Sequence, residues 1–183
     1  MRIDAAKIKE VLDKVDAELA QAQTICVIGS TATILMGQPQ RRTEDIDVWA
    51  KASIFDETQM REAATRAGLL FNPIEDEPGL PYIRIVHPGI VQIPGYDPQS
   101  NTWLGQPPRT LWTAEKLTVV CPPPEIIIAS KMRRFEDRDI ADSIWLMAES
   151  QIGADAVIEA IRNLPARFRE EAEENFSILK HIL

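Results

Sequence analysis

Residues 24–50, TICVIGSTATILMGQPQRRTEDIDVWA, constrain the fold more than any other stretch of the chain. The apolar run Ile25-Cys26-Val27-Ile28 reads as a buried strand that stops at Gly29-Ser30. Residues 32–36 have the length of a two-turn helix, and a polar loop then leads to a second strand, Ile46-Asp47-Val48-Trp49. Asp45 and Asp47 open that strand. Side chains two apart in a strand point to the same side. Two like charges on one face repel, so the pair calls for a bound cation or a retained proton. A Gly-Ser turn entering a helix also suits a phosphate, because free N–H groups point there. A phosphate site beside a divalent-cation site points to chemistry on nucleotides.

The rest of the composition narrows the class. A chain of 183 residues, 45% hydrophobic and 26% charged, can bury a core. Its formal net charge of −8 works against sequence-independent binding to nucleic acid, and no sequence-specific DNA binding is expected. No apolar run reaches the roughly 18 residues of a membrane span. The N-terminal residues MRIDAAKIKE are charged and amphipathic, unlike a signal peptide, so a soluble cytoplasmic protein is expected. Cys26 and Cys121 lie in or beside apolar runs and read as buried free thiols, with a disulfide between neighbouring strands left open.

In chain order, Asp4 caps a first helix running to about residue 21, with Ile8, Val11, Leu12, Val15 and Leu19 on one stripe. After the central stretch, residues 55–67 read as a helix closed by Gly68. Residues 72–81, dense in Pro, Gly and acid, read as a loop. Residues 82–86 and 90–93 read as the strands of a hairpin turned by His87-Pro88-Gly89. Residues 94–109 read as a long irregular connection, and 117–120 as one more strand. Pro122-Pro123-Pro124 starts a helical region with breaks near 134–137, Gly153 and Pro165. This order implies an α+β fold, a mixed sheet with a helical C-terminal part, divided as 1–121 and 122–183.

The segment GSTATILMGQPQRRTEDIDVW resembles the core motif of the nucleotidyltransferase (polymerase-β-like) superfamily, in which G-S and a short helix precede D-I-D. Within it the chain is most similar to small proteins related to the AbiEii-type toxins. The resemblance implies that Gly29 and Ser30 hold a nucleoside triphosphate, that Arg42 and Thr43 assist, and that Asp45 and Asp47 are catalytic ligands of Mg2+ or Mn2+. It also implies a nucleotide-contacting or acid-catalyst role for Lys131. The segment IASKM…RDIAD is similar to the A-x-K-L…R-D-x-x-D pattern of those toxins, with Arg138, Asp139 and Asp142 in support. If residues 130–142 form one helix, Lys131, Arg134, Arg138 and Asp142 share a face.

Such enzymes usually carry a third acid on a neighbouring strand. The strand expected to hold it, residues 90–93, carries Gln92, so either Asp97, Asp139 or Asp142 substitutes or the enzyme is weak or inactive. Two readings follow. One is a Mg2+-dependent enzyme moving a nucleoside monophosphate from an NTP to a hydroxyl of a tRNA, protein or small molecule. The other is a degenerate member that binds or regulates, with a cognate protein partner in a toxin–antitoxin pair. A dinucleotide-binding fold fails for want of G-x-G-x-x-G, and a Walker A loop for want of Gly-Lys-Ser/Thr. The remaining His87, His181 and four tryptophans read as structural, with Trp103 and Trp112 the only pair placed to stack on a base.

Overall fold

The computed structural model describes residues 2–74 and 80–182. The chain forms two compact units. The first comprises residues 1–87 and 109–121, the second residues 88–108 and 122–183.

In the first unit, helix α1 (Ala5–Glu18) begins where the Asp4 carboxylate accepts the Lys7 N–H at 3.0 Å, satisfying an orphan donor of the first turn. Its apolar stripe, Ile8, Val11, Leu12 and Val15, is buried as its spacing requires. Asp16 is also buried. Its Oδ1 accepts the N–H groups of Lys116 at 2.7 Å and Leu117 at 2.6 Å, which fastens α1 to the start of strand β8 (Leu117–Cys121). Strand β1 (Gln23–Cys26) runs parallel to β8, and β7 (Arg109–Thr113) pairs antiparallel on the far side of β8.

A second sheet holds β2 (Asp45–Trp49), β4 (Tyr82–Val86) and β3 (Leu70–Phe71), all parallel in the order β2-β4-β3. The two sheets meet where β1 runs on past Cys26. Val27 bridges Val48 antiparallel, and the Ile28 N–H donates to the Asp47 carbonyl at 3.0 Å. Helix α2 (Gly29–Leu35) follows at once, so the Gly-Ser turn sits beside the middle of β2. Helix α3 (Glu57–Arg66), capped by Asp56 and stopped by Gly68 at φ +81°, makes the crossover that parallel strands need.

The expected hairpin at 82–93 does not form. Strand β4 takes its partners from β2 and β3, and residues 90–93 contribute one bridge, Pro88 to Val91. Gly89 at φ +100° and the Gln92 side-chain amide donating to the Gly89 carbonyl at 3.2 Å close a local turn there. Residues 109–113, which begin where the expected irregular connection ends and carried no strand expectation, are strand. The loop expected at 72–81 lies partly outside the described residues.

In the second unit, the connection 94–108 is built around a short hairpin of β5 (Tyr96–Asp97) and β6 (Thr102–Trp103). Trp103 is fully buried, with its ring 4.8 Å from that of Tyr96, so it packs and does not offer a base-stacking face. Helix α4 (Pro124–Met132) starts on its prolines, as expected of a residue type that lacks an N–H. Only Pro124 and Ser130 of α4 escape burial, because α5 (Asp137–Ser150), α6 (Ala154–Arg162) and α7 (Ala166–Ile182) all pack on it.

Candidate functional site

The site in the first unit starts from Gly29. Its φ of +59° is a left-handed conformation that residues with a Cβ adopt at a cost. A Cβ placed there would lie 3.6 Å from Asp47 Oδ2, so the turn backbone passes close to a carboxylate oxygen. Helix α2 is only seven residues long. Its dipole is correspondingly small, and the position of the turn beside β2 is what places its backbone next to the acids.

Asp45 and Asp47 are half-buried on one face of β2, while Ile46 and Val48 point into the core. Thr43 is buried and its hydroxyl donates to Asp45 Oδ1 at 2.8 Å. The Thr31 hydroxyl donates to the Asp45 carbonyl at 3.1 Å. Together these contacts fix the orientation of the first acid. The Ser30 hydroxyl accepts from Arg41 Nη2 at 2.6 Å, leaving its own proton available to a ligand. The basic residue of the turn is therefore Arg41, whereas Arg42 is exposed. Two adjacent arginines are indistinguishable by spacing, and only the course of the loop selects one.

Strand β4 supplies a residue that the sequence did not bring to notice. In the parallel register Asp45 lies level with Tyr82, and Asp47 with Arg84. Arg84 thus shares the face of the two acids. Its Nη1 lies 3.8 Å from Asp45 Oδ2, its Nη2 donates to the Tyr82 hydroxyl at 3.0 Å, and the guanidinium stands 5.1 Å from the Tyr82 ring centroid. Had β4 been recognised as the parallel neighbour of β2, the alternation Tyr82, Arg84, Val86 would have exposed it.

Among the described residues no group of three or more His, Cys, Asp or Glu side chains could hold a metal ion. The donors at the site are a carboxylate pair. Such hard oxygen ligands would suit one Mg2+ or Mn2+ and are too few to hold it without further oxygen ligands.

The second unit gathers the other candidates. Lys131 Nζ lies 2.7 Å from Asp142 Oδ2 and 3.2 Å from Asp139 Oδ1, and Arg134 Nη2 lies 2.8 Å from the same Asp139 oxygen. Lys131, Asp139 and Asp142 are each at most 3% exposed. Burying an ammonium this deeply costs several kcal/mol unless acids pair with it. The geometry makes Lys131 a clamp between α4 and α5. The expected single basic face is absent. Phe135 turns left-handed at φ +51° between α4 and α5, which separates Lys131 and Arg134 from the exposed Arg138. Asp97 is committed to its own turn. It accepts from the Gln99 N–H at 2.9 Å and the Ser100 hydroxyl at 2.7 Å, and these bonds hold its carboxyl below the usual range.

Cys26 and Cys121 are free, buried thiols of the first unit. Burial pushes Cys26 well up, with Cys121 adding to the effect, and pushes Cys121 to about 12.

A strand–Gly-Ser–helix unit set against a D-x-D strand defines a nucleotidyltransferase scaffold. The chain belongs to the family described as "Nucleotidyltransferase of unknown function (DUF6036)", whose model matches residues 6–162. No curated protein and no solved structure matches it. No helix among the described residues is long and apolar enough to cross a membrane.

Proposed function

We propose that the first unit binds an NTP together with Mg2+ or Mn2+ and transfers its nucleoside monophosphate to a hydroxyl acceptor. The observation that carries this reading is the convergence of Gly29, Ser30, Thr43, Asp45 and Asp47 at one half-buried edge of β2. Asp45 and Asp47 would hold the cation, which when bound withdraws charge from phosphoryl oxygens and eases loss of a hydroxyl proton. Gly29 lets the backbone approach the phosphates, and Ser30, oriented by Arg41, donates to them. Thr43 keeps the Asp45 carboxylate aimed. The acceptor oxygen bonds to the α-phosphorus and pyrophosphate leaves. The acceptor is a tRNA, a protein or a small molecule. Incubation with α-labelled NTP and Mg2+ tests this directly. Label should move to an acceptor in the wild type and not in Asp45→Ala or Asp47→Ala of unchanged melting temperature.

A second reading has its own support. Arg84 already lies near Asp45, which favours a degenerate member that binds nucleotide or a cognate protein without turnover, in keeping with the AbiEii-like pattern of Lys131 and the Arg138–Asp142 segment. Such a protein would serve a cytoplasmic toxin–antitoxin pair. Nucleotide binding with no α-phosphate transfer to any cellular acceptor is the result expected of it.

A further inference from the structure

The acidic edge of β2 has two hydrogen-bonded flanks. On one side the short extension Val27-Ile28 joins it, and Val27 and Ile28 carry only hydrocarbon. On the other lies β4, which meets Asp45 with Tyr82 and Asp47 with Arg84. The side chain level with Asp47 on the same face is therefore a guanidinium. A two-cation site needs an acid at such a position, because the second cation must find oxygen ligands. Arg84 offers only donors and a fixed positive charge.

We infer that Arg84 takes the place of both the third acid and the second divalent cation. The site accepts one divalent cation on Asp45 and Asp47, and Arg84 supplies the other positive charge toward the triphosphate. The charge balance agrees. Two carboxylates, one guanidinium and one divalent cation leave one net positive charge, as do three carboxylates with two divalent cations. The side chain is also held for the task. Tyr82 braces the guanidinium through its hydroxyl and ring, while Arg84 stays 43% exposed. A planar fork of donors suits a phosphate. At 3.8 Å from Asp45 Oδ2, the guanidinium also offsets the mutual repulsion of the acids before a cation arrives.

This inference rests on the nucleotide-binding reading above, and its test separates the two. Mn2+ bound per chain is counted by electron paramagnetic resonance, with and without a non-hydrolysable NTP analogue, and analogue affinity is measured by calorimetry. The proteins are the wild type, Arg84→Glu, Arg84→Gln and Arg84→Lys, each checked by circular dichroism. The wild type should hold one Mn2+ per chain with the analogue. Arg84→Glu should hold two, Arg84→Gln should bind the analogue about tenfold more weakly, and Arg84→Lys should recover most of that loss. Two Mn2+ in the wild type, or affinity and stoichiometry unchanged across the Arg84 variants, would overturn the role of Arg84 while leaving the nucleotide site standing. Absence of both Mn2+ and analogue from the wild type would overturn the nucleotide site, and the role of Arg84 with it.

Discussion

Each unit carries a cluster of acids and bases drawn from the motif residues, and the two clusters are built to opposite ends. In the first, Asp45 and Asp47 lie at a half-buried edge with Arg84, whose Nη1 is 3.8 Å from Asp45 Oδ2, beside the turn that holds the Ser30–Arg41 pair. In the second, Lys131 is closed between Asp139 and Asp142 at 3.2 and 2.7 Å, with almost no exposure. The motif letters look alike, since both join acids at short spacing to a nearby base. Burial separates them. A sealed ion cluster fixes the packing of two helices and has no access to a ligand. A half-exposed one keeps its electrostatic capacity for something that arrives from solution.

Breaking each cluster should therefore produce opposite phenotypes. The largest effect is expected from Asp47→Ala, which should lower nucleotidyl transfer by about three orders of magnitude, the scale of several kcal/mol of lost charge stabilisation. Its fold should stay intact, because the core-facing residues of the strand, Ile46 and Val48, are untouched. Lys131→Met should do the reverse. It leaves two buried carboxylates without their ammonium and should cost about 3–5 kcal/mol in denaturant unfolding. Replacing Lys131, Asp139 and Asp142 together by apolar residues should recover most of that stability, which a ligand-binding role for the lysine would not allow.

Smaller changes sharpen the contrast. Arg41→Ala should weaken NTP-analogue binding about tenfold in calorimetry through loss of the Ser30 contact, whereas Arg42→Ala should leave it unchanged. The thiols provide a pH test of the first unit's core. The folded Cys121 value, about 12, stands above the ordinary 9.0, so its neutral form is the one the fold favours. Stability from this source is fully present below pH 9 and is lost as pH rises toward 12. By pH 10 the loss should be about 1.4 kcal/mol, and Cys121→Ala should flatten that limb of the curve.

Much of the scaffold was legible because its signals are local. The apolar run ending at Gly29, the paired acids of β2, the stripe of α1 and the prolines opening α4 each follow from period or backbone chemistry. The features that escaped are set by tertiary pairing. Strand β4 looks like one arm of a hairpin until its parallel partners are known, and Arg84 was lost with it. The left-handed turn at Phe135, a residue that rarely adopts it, dissolved the expected basic face. The buried state of Lys131 depends on three helices covering α4, which no helical period of α4 itself reports.

The half-exposed cluster as the nucleotide site is tested most directly by calorimetric titration of a Mg2+-bound, non-hydrolysable NTP analogue into the wild type and Asp47→Ala. Saturable binding in the wild type, lost in a variant that melts no lower, is the expected result. Equal binding by the two proteins, or none by a folded wild type, would contradict it.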